Sequence, residues 1–144
     1  MNNSLKSIIA LGLLSILIIS GSGCTAQTSG DKLSFVTGTS HPADVAALLK
    51  KGPVVLYFGG NCTACAEQKV IISHLEKQYN GTEVTILRID PLIDRTFTGK
   101  ATNYGVTTIP TTVVIRGDGA VAKGVGLTDE QTLKNTIEDA RQWK

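Results

Sequence analysis

The chain has little of what would mark it for nucleic acid, a membrane span or a repeat architecture. Its 144 residues carry 14 basic and 12 acidic side chains, a net charge of +2, with neither a basic stripe nor an acidic tail. Nothing in that balance supplies the electrostatic footprint of a nucleic-acid binder. The longest apolar run, residues 8–19, is broken only by Gly12 and Ser15, and it falls short of the roughly 20 residues that cross a bilayer. No segment repeats at a fixed period, and nothing after residue 34 is of low complexity. Cysteine is scarce, three in all, so the position of each one matters. With 42% hydrophobic and 18% charged residues, the chain reads as one domain plus an appendage, long enough to bury a core.

What is present is one closely spaced cysteine pair. Cys62-Thr63-Ala64-Cys65 follows a strongly β-forming run, Val54-Val55-Leu56-Tyr57-Phe58, and opens a long helical pattern. The first N–H groups of a helix have no internal partner and the helix dipole adds partial positive charge there, so a thiolate is stabilised and its pKa falls. Cys62, nearer the helix start and preceded by the flexible Gly59-Gly60 pair, is the expected attacking sulfur; Cys65, one turn deeper, is the expected resolving one. Helical i,i+3 spacing lies within the roughly 4.4–6.8 Å between Cα atoms that a disulfide tolerates.

The same spacing supplies half of many zinc sites and also serves in structural bridges. Zinc needs two further ligands, and after Cys65 only His74 is a strong candidate, about 13 Å further along the same helix. No metal site is expected. A structural bridge remains the competing reading, although so short a loop stabilises little through chain entropy. His74 lies beside the apolar stripe of the helix and reads as a boundary histidine packing its ring at the core edge.

Residues 1–7 are polar with one Lys, residues 8–19 are apolar, and Ser20-Gly21-Ser22-Gly23 is a run of small residues ending at Cys24. That layout is an export signal. Small residues directly before a cysteine at the end of such a segment resemble the lipobox of prokaryotic lipoproteins; Gly23 fits, while Gly21 departs from the Leu usual at its position. The resemblance implies that Cys24 is lipidated and becomes the first mature residue. A cleaved, freely soluble domain and an uncleaved N-terminal membrane anchor are the alternatives. With Cys24 modified, Cys62 and Cys65 form a self-contained pair and no odd thiol is left. The expected organisation is a signal peptide over 1–23, a lipidated cysteine and flexible tether over 24–32, and a folded domain over 33–144 on the extracytoplasmic face of the membrane. Asn80-Gly81-Thr82 matches a glycosylation acceptor, as Asn61-Cys62-Thr63 does by coincidence, and no glycan is expected at either.

Within the domain, residues 33–37 read as a short edge strand and Ser40 as the cap of a helix with Pro42 in an early position and Val45, Leu48 and Leu49 on its apolar face. Gly52-Pro53 ends that helix. Residues 54–58 lack polar alternation, which suits a strand covered on both faces. The helix over 62–79 carries Val70, Ile71, His74, Leu75 and Gln78 at spacings of three and four and ends at Asn80-Gly81. A strand over 83–89 and a weaker helix over 94–104 follow. Strands over 111–116 and 120–125 flank Gly117-Asp118-Gly119, a hairpin signal. The last helix starts at Thr128, where Thr128 and Gln131 form a capping-box pattern, and buries Leu133, Ile137 and Ala140. The order is βαβαβαββα.

Ile109-Pro110-Thr111 stands at the entrance to a strand that should be central, where a proline needs an explanation. A cis Ile109–Pro110 bond facing the C-x-x-C would provide it. Together, strand-C-x-x-C-helix, Tyr104-Gly105-Val106 leading to Ile109-Pro110-Thr111, the hairpin, and Gly126 before a final amphipathic helix resemble the thioredoxin family over residues 33–144. The resemblance implies an α/β thioredoxin fold: a central mixed sheet flanked by helices, with the cis-proline facing a C-x-x-C at a helix N-terminus. It implies thiol–disulfide exchange with protein disulfides or dithiols and no cofactor. Cys62 would attack a substrate disulfide to give a mixed disulfide and Cys65 would release it, or the reverse would oxidise a dithiol. The Ile109 backbone, beside Pro110, would pair with the bound substrate strand, with Asn61 and Thr63 completing the substrate-binding set. The expected protein is a monomer served by a membrane or extracytoplasmic electron donor or acceptor. The alternative is a tethered thioredoxin-fold binding module whose cysteine pair is structural.

The sequence also departs from the family. Asn61 stands where an aromatic residue is common, and is expected to cap the helix. Leu56 replaces the buried Asp of cytosolic thioredoxins and Ile86 replaces the Lys that pairs with it. That acid assists deprotonation of the second thiol, so its absence implies different proton transfer, through water or through Glu67, which otherwise reads as a solvated helix residue. Thr63-Ala64 is neither the Gly-Pro of reductants nor the Pro-His of strong oxidants, so the direction of electron flow stays open.

Overall fold

The computed structural model describes residues 31–143; the expected signal segment, Cys24 and most of the tether lie outside the described residues. In chain order the elements are α1 (Ala43–Leu49), β1 (Val54–Phe58), α2 (Thr63–Gln78), β2 (Thr85–Ile89), α3 (Phe97–Asn103), β3 (Thr111–Ile115), β4 (Val121–Val125) and α4 (Glu130–Gln142). β1 is apolar at every position because it has a helical layer on each face. Val55 and Tyr57 point to a core with Ile72, Leu75, Leu133, Ile137 and Ala140 from α2 and α4. Val54, Leu56 and Phe58 point to a second core with Val45 of α1 and with Ala101 and Tyr104 at α3. Period-two alternation along one strand thus feeds two cores.

The four strands lie in the order β2-β1-β3-β4. β1 pairs in parallel with β2, while the β1–β3 and β3–β4 pairs are antiparallel. Phe58 pairs with Ile89 on one side and Thr111 on the other. The exits of β1 and β2 and the entrance of β3 therefore meet at one end of the sheet. The cysteine pair follows β1 there, and Pro110 precedes β3 there.

The boundaries differ from expectation for local reasons. The strand expected over 33–37 is reduced to one bridge, Val36 with Val121, and Leu33 packs against the α2/α4 core with its N–H donated to Thr136 Oγ1 at 2.9 Å. The order begins with a helix as a result. α1 starts behind Pro42 without any side-chain cap; Ser40 is held through its carbonyl by Asn103 Nδ2 at 2.8 Å. The helix expected from residue 94 starts at Phe97, because Asp94 Oδ1 accepts from both the N–H and the hydroxyl of Thr96, an Asx turn that precedes the helix. α4 is capped by Asp129, whose carboxylate accepts from the Thr132 N–H at 2.9 Å. An aspartate is the stronger cap, so the Thr128/Gln131 box does not form. On α2 the buried line runs through Cys65, Gln68, Ile72 and Leu75, whereas Val70 is 56% exposed. His74 is exposed and pairs with Glu130 at 3.1 Å instead of packing its ring at the core edge.

Candidate active site

Cys62 and Cys65 are joined in a disulfide with their Cα atoms 4.9 Å apart. Cys62 is itself the N-cap of α2, in extended conformation, and its Sγ accepts the Cys65 N–H at 3.0 Å. The expected capping by Asn61 is therefore corrected: the residue directly before the first helical position is Cys62, and Asn61 stands exposed one place earlier. A sulfur that receives one of the orphan N–H groups of a helix start is where a thiolate gains most from the helix dipole once the bridge is reduced. Burial divides the pair. Cys65 is fully buried, while Cys62 is partly exposed beside exposed Thr63.

The Ile109–Pro110 bond is cis, and Pro110 is buried at the entrance of β3. Its carbonyl accepts the Gly126 N–H at 2.8 Å, and Gly126 holds a φ of 79° that favours glycine. The Ile109 side chain reaches back to the cysteine loop: a Cβ on Gly60 would lie 3.2 Å from Ile109 Cδ1 and 3.3 Å from Pro91. Both Gly59 and Gly60 are buried. Gly60 serves close approach between the cysteine loop and the loops carrying Ile109 and Pro91, and Gly59 leaves room for the Tyr57 ring.

Two further residues shape this end of the molecule. The Tyr57 hydroxyl donates to the Cys65 carbonyl at 2.9 Å, and a Cβ on Gly59 would collide with the Tyr57 ring. Burial pushes the Tyr57 phenol above its ordinary value, so it stays a donor. The signal was visible as a tyrosine in an aliphatic strand with a glycine two places on. The other is Gln68, fully buried on α2, which bonds through both amide atoms to the Thr128 backbone.

Leu56 is buried on the α1/α3 side, where its register partners are Leu87 and Val113. Ile86 packs against the opposite core, so the two aliphatic replacements do not face each other. Glu67 is exposed. Around the site, the loop after β2 presents Leu92 and Ile93, 77% and 83% exposed, in a turn fixed by the Leu92 N–H on Asp90 Oδ1 at 2.8 Å. Val125 and Leu127, both exposed, flank Gly126. A cleft of about 490 Å³ opens between α2 and the β2–α3 loop, with Tyr57, Gly59, Lys69, Asp90 and Ile93 among its walls.

A family model described as Thioredoxin matches residues 32–139. Among solved structures, the chain is similar to a point-mutant thioredoxin from Halobacterium salinarum, at 24% identity over 74% of this chain and 90% of that one, with a TM-score of 0.58. It is also similar to the oxidised form of mitochondrial thioredoxin 3 from Saccharomyces cerevisiae, at 21% identity over 67% and 87% of the two chains, with a TM-score of 0.54. These likenesses are of fold. No curated protein matches the sequence.

Proposed function

This chain belongs to the thioredoxin family, and we propose that it is a membrane-tethered thiol–disulfide oxidoreductase acting on extracytoplasmic protein disulfides or dithiols. A thioredoxin domain that carries a Cys62–Cys65 disulfide supports thiol–disulfide exchange in general. The observation that carries the reading is the Cys62 sulfur at the N-cap of α2, accepting the Cys65 N–H, with the second sulfur buried behind it. In the reducing direction the Cys62 thiolate attacks a client disulfide; the client S–S bond breaks, a mixed disulfide forms and one client thiolate leaves. Cys65 then loses its proton and attacks the Cys62 sulfur. The second client thiolate leaves, the client has gained two electrons, and the pair is again a disulfide. The reverse sequence oxidises a client dithiol.

The client strand pairs with the Ile109 backbone beside Pro110, flanked by Asn61 and Thr63, and the exposed aliphatics Leu92, Ile93, Val125 and Leu127 give it apolar contact. Export and a lipid anchor on Cys24 rest on the apolar run over 8–19 and the small residues before Cys24. A donor or acceptor at the membrane or outside it resets the pair, and the domain works as a monomer.

Replacing Cys65 by Ser tests the chemistry. An exchange enzyme accumulates mixed disulfides through Cys62, released by a small thiol; a binding module with a structural bridge keeps its partners without covalent linkage. The reduction potential of the wild-type pair gives the direction, about −270 mV for a reductant and about −120 mV for an oxidant. A pair that resists reduction well below about −300 mV is a structural bridge and ends the enzyme reading. Membrane fractionation of a Cys24→Ser chain tests the anchor.

A further inference from the structure

We infer that Gln68 is a positioning residue that clamps the disulfide helix to the loop supporting the cis-proline, holding the two halves of the client site in one geometry. The inference rests on the exchange reading above and names the residue that fixes its docking geometry.

Gln68 lies one turn beyond Cys65 on the buried line of α2, with no exposed surface. An aliphatic residue would be the default in that line. Instead the Gln68 Oε1 accepts the Thr128 N–H at 2.7 Å and its Nε2 donates to the Thr128 carbonyl at 3.1 Å. Both groups of a single backbone residue are taken by one side chain, as a neighbouring strand would take them. The pairing also fixes the amide orientation, since only one of its two flips offers an acceptor to the N–H and a donor to the carbonyl.

Thr128 has no helical duty, because Asp129 caps α4. It is pressed onto the sheet from the other side as well: a Cβ on Gly124 would collide with Thr128 Oγ1. Two residues earlier, Gly126 donates its N–H to the Pro110 carbonyl. A continuous path therefore runs from Cys65 through one turn of α2 to Gln68, then to Thr128, Gly126 and Pro110. Thr128 is itself buried, so without Gln68 its N–H and carbonyl would be stranded without partners, and the loop would have to shift towards water. That shift would move Gly126 and, with it, the cis-proline loop relative to the cysteines.

Two measurements test the clamp. In the wild-type protein, amide protection at Gln68, Thr128 and Gly126 should agree within about threefold, because the helix and loop open together. Protection at Thr128 and Gly126 more than about tenfold below that of Gln68 would show the loop opening alone and would overturn the inference. In a Gln68→Met protein, which keeps the volume and loses both bonds, kcat/KM for a peptide disulfide should fall about tenfold, chiefly through KM. Reaction with a small aromatic disulfide, which needs only an accessible Cys62, should stay within about twofold, and the pH profile of Cys62 alkylation should not move. Equal loss with both substrates, or no loss with either, would refute the positioning role. A wild-type protein that, when reduced, reduces neither disulfide and, when oxidised, oxidises no peptide dithiol fails the oxidoreductase reading, and the exchange measurement then decides on the clamp by itself.

Discussion

Replacing Leu56 by Asp would restore the acid that cytosolic thioredoxins carry at this place, and the structure predicts that the domain tolerates it badly. Leu56 has no exposed surface and sits in the central strand between Leu87 and Val113. Emptying a buried leucine site costs about 2–5 kcal/mol, and a protonated carboxyl left without a partner adds about 1–3 kcal/mol. The sum, roughly 3–8 kcal/mol, is comparable with the whole stability of an ordinary domain, about 5–15 kcal/mol. A pH-dependent part follows. Burial holds the folded-state pKa above the unfolded value of about 3.9. Between those two values the folded state binds the proton and the unfolded state does not, so stability falls by up to about 1.4 kcal/mol per pH unit as pH rises. Urea unfolding of wild type and variant from pH 4 to 7 reads both parts, and Leu56→Asn supplies the non-titrating control. A loss below about 2 kcal/mol that is flat with pH would mean that water or a cation reaches position 56, and the argument from burial would be wrong.

Thr112 Oγ1 is buried without a hydrogen-bond partner among the described residues; Thr112→Val should therefore raise stability by about 1 kcal/mol in urea unfolding, and a loss of that size would reveal a partner. The Tyr57→Phe change removes the bond to the Cys65 carbonyl and should cost about 1 kcal/mol, whereas an unchanged midpoint would show that the hydroxyl adds nothing net. The carboxyls of Asp44, Asp94, Asp118 and Asp129 are held below the ordinary 3.8, chiefly by side-chain hydrogen bonds from Lys100, Thr96, Arg116 and Thr132 respectively. The unfolded state then binds more protons near and below pH 4, so the melting temperature should hold above about pH 5 and fall as pH drops through 4; an Asp118→Asn protein should fall less steeply, and an identical acid limb would remove Asp118 from the account. Resolution of a mixed disulfide by Cys65 should follow a single thiol ionisation, and a second inflection in the carboxylate range would bring Glu67 back as a base.

Most of the core and the cysteine pair were legible because their signals are local. β1 declared itself by five apolar residues in a row, and Pro110 by standing where a central strand begins. The elements misjudged are those decided by competition between neighbours. Asp129 outcompetes Thr128 for the α4 cap, Cys62 takes the place expected of Asn61, and Asp94 draws Thr96 into a turn that delays α3. The strand at 33–37 had the right composition, yet a single bridge to Val121 is all that β4 offers it. Gln68 was out of reach for a different reason. Its partners are backbone groups 60 residues away, and a backbone N–H or carbonyl leaves no mark in the sequence.

The missing acid and the unexpected tyrosine are adjacent in sequence, and adjacency in a strand means opposite faces. Position 56 points to the α1/α3 core and is filled by an aliphatic; position 57 points to the α2/α4 core and carries the hydroxyl that reaches Cys65. The polar group beside the buried cysteine is thus the hydroxyl at position 57, and its chemistry differs from that of an acid. A carboxylate can take a proton, but a phenol whose pKa burial has raised further is already protonated and can only donate. Tyr57 and Gln68 therefore hold the backbone around Cys65 and Pro110 in place without accepting the Cys65 proton. When Cys65 attacks, that proton has to leave to water or to the departing client thiolate, whose own pKa suits it to receive one. In the proposed exchange the Cys65 proton is therefore passed to water or to the leaving thiolate and not to a buried acid on β1.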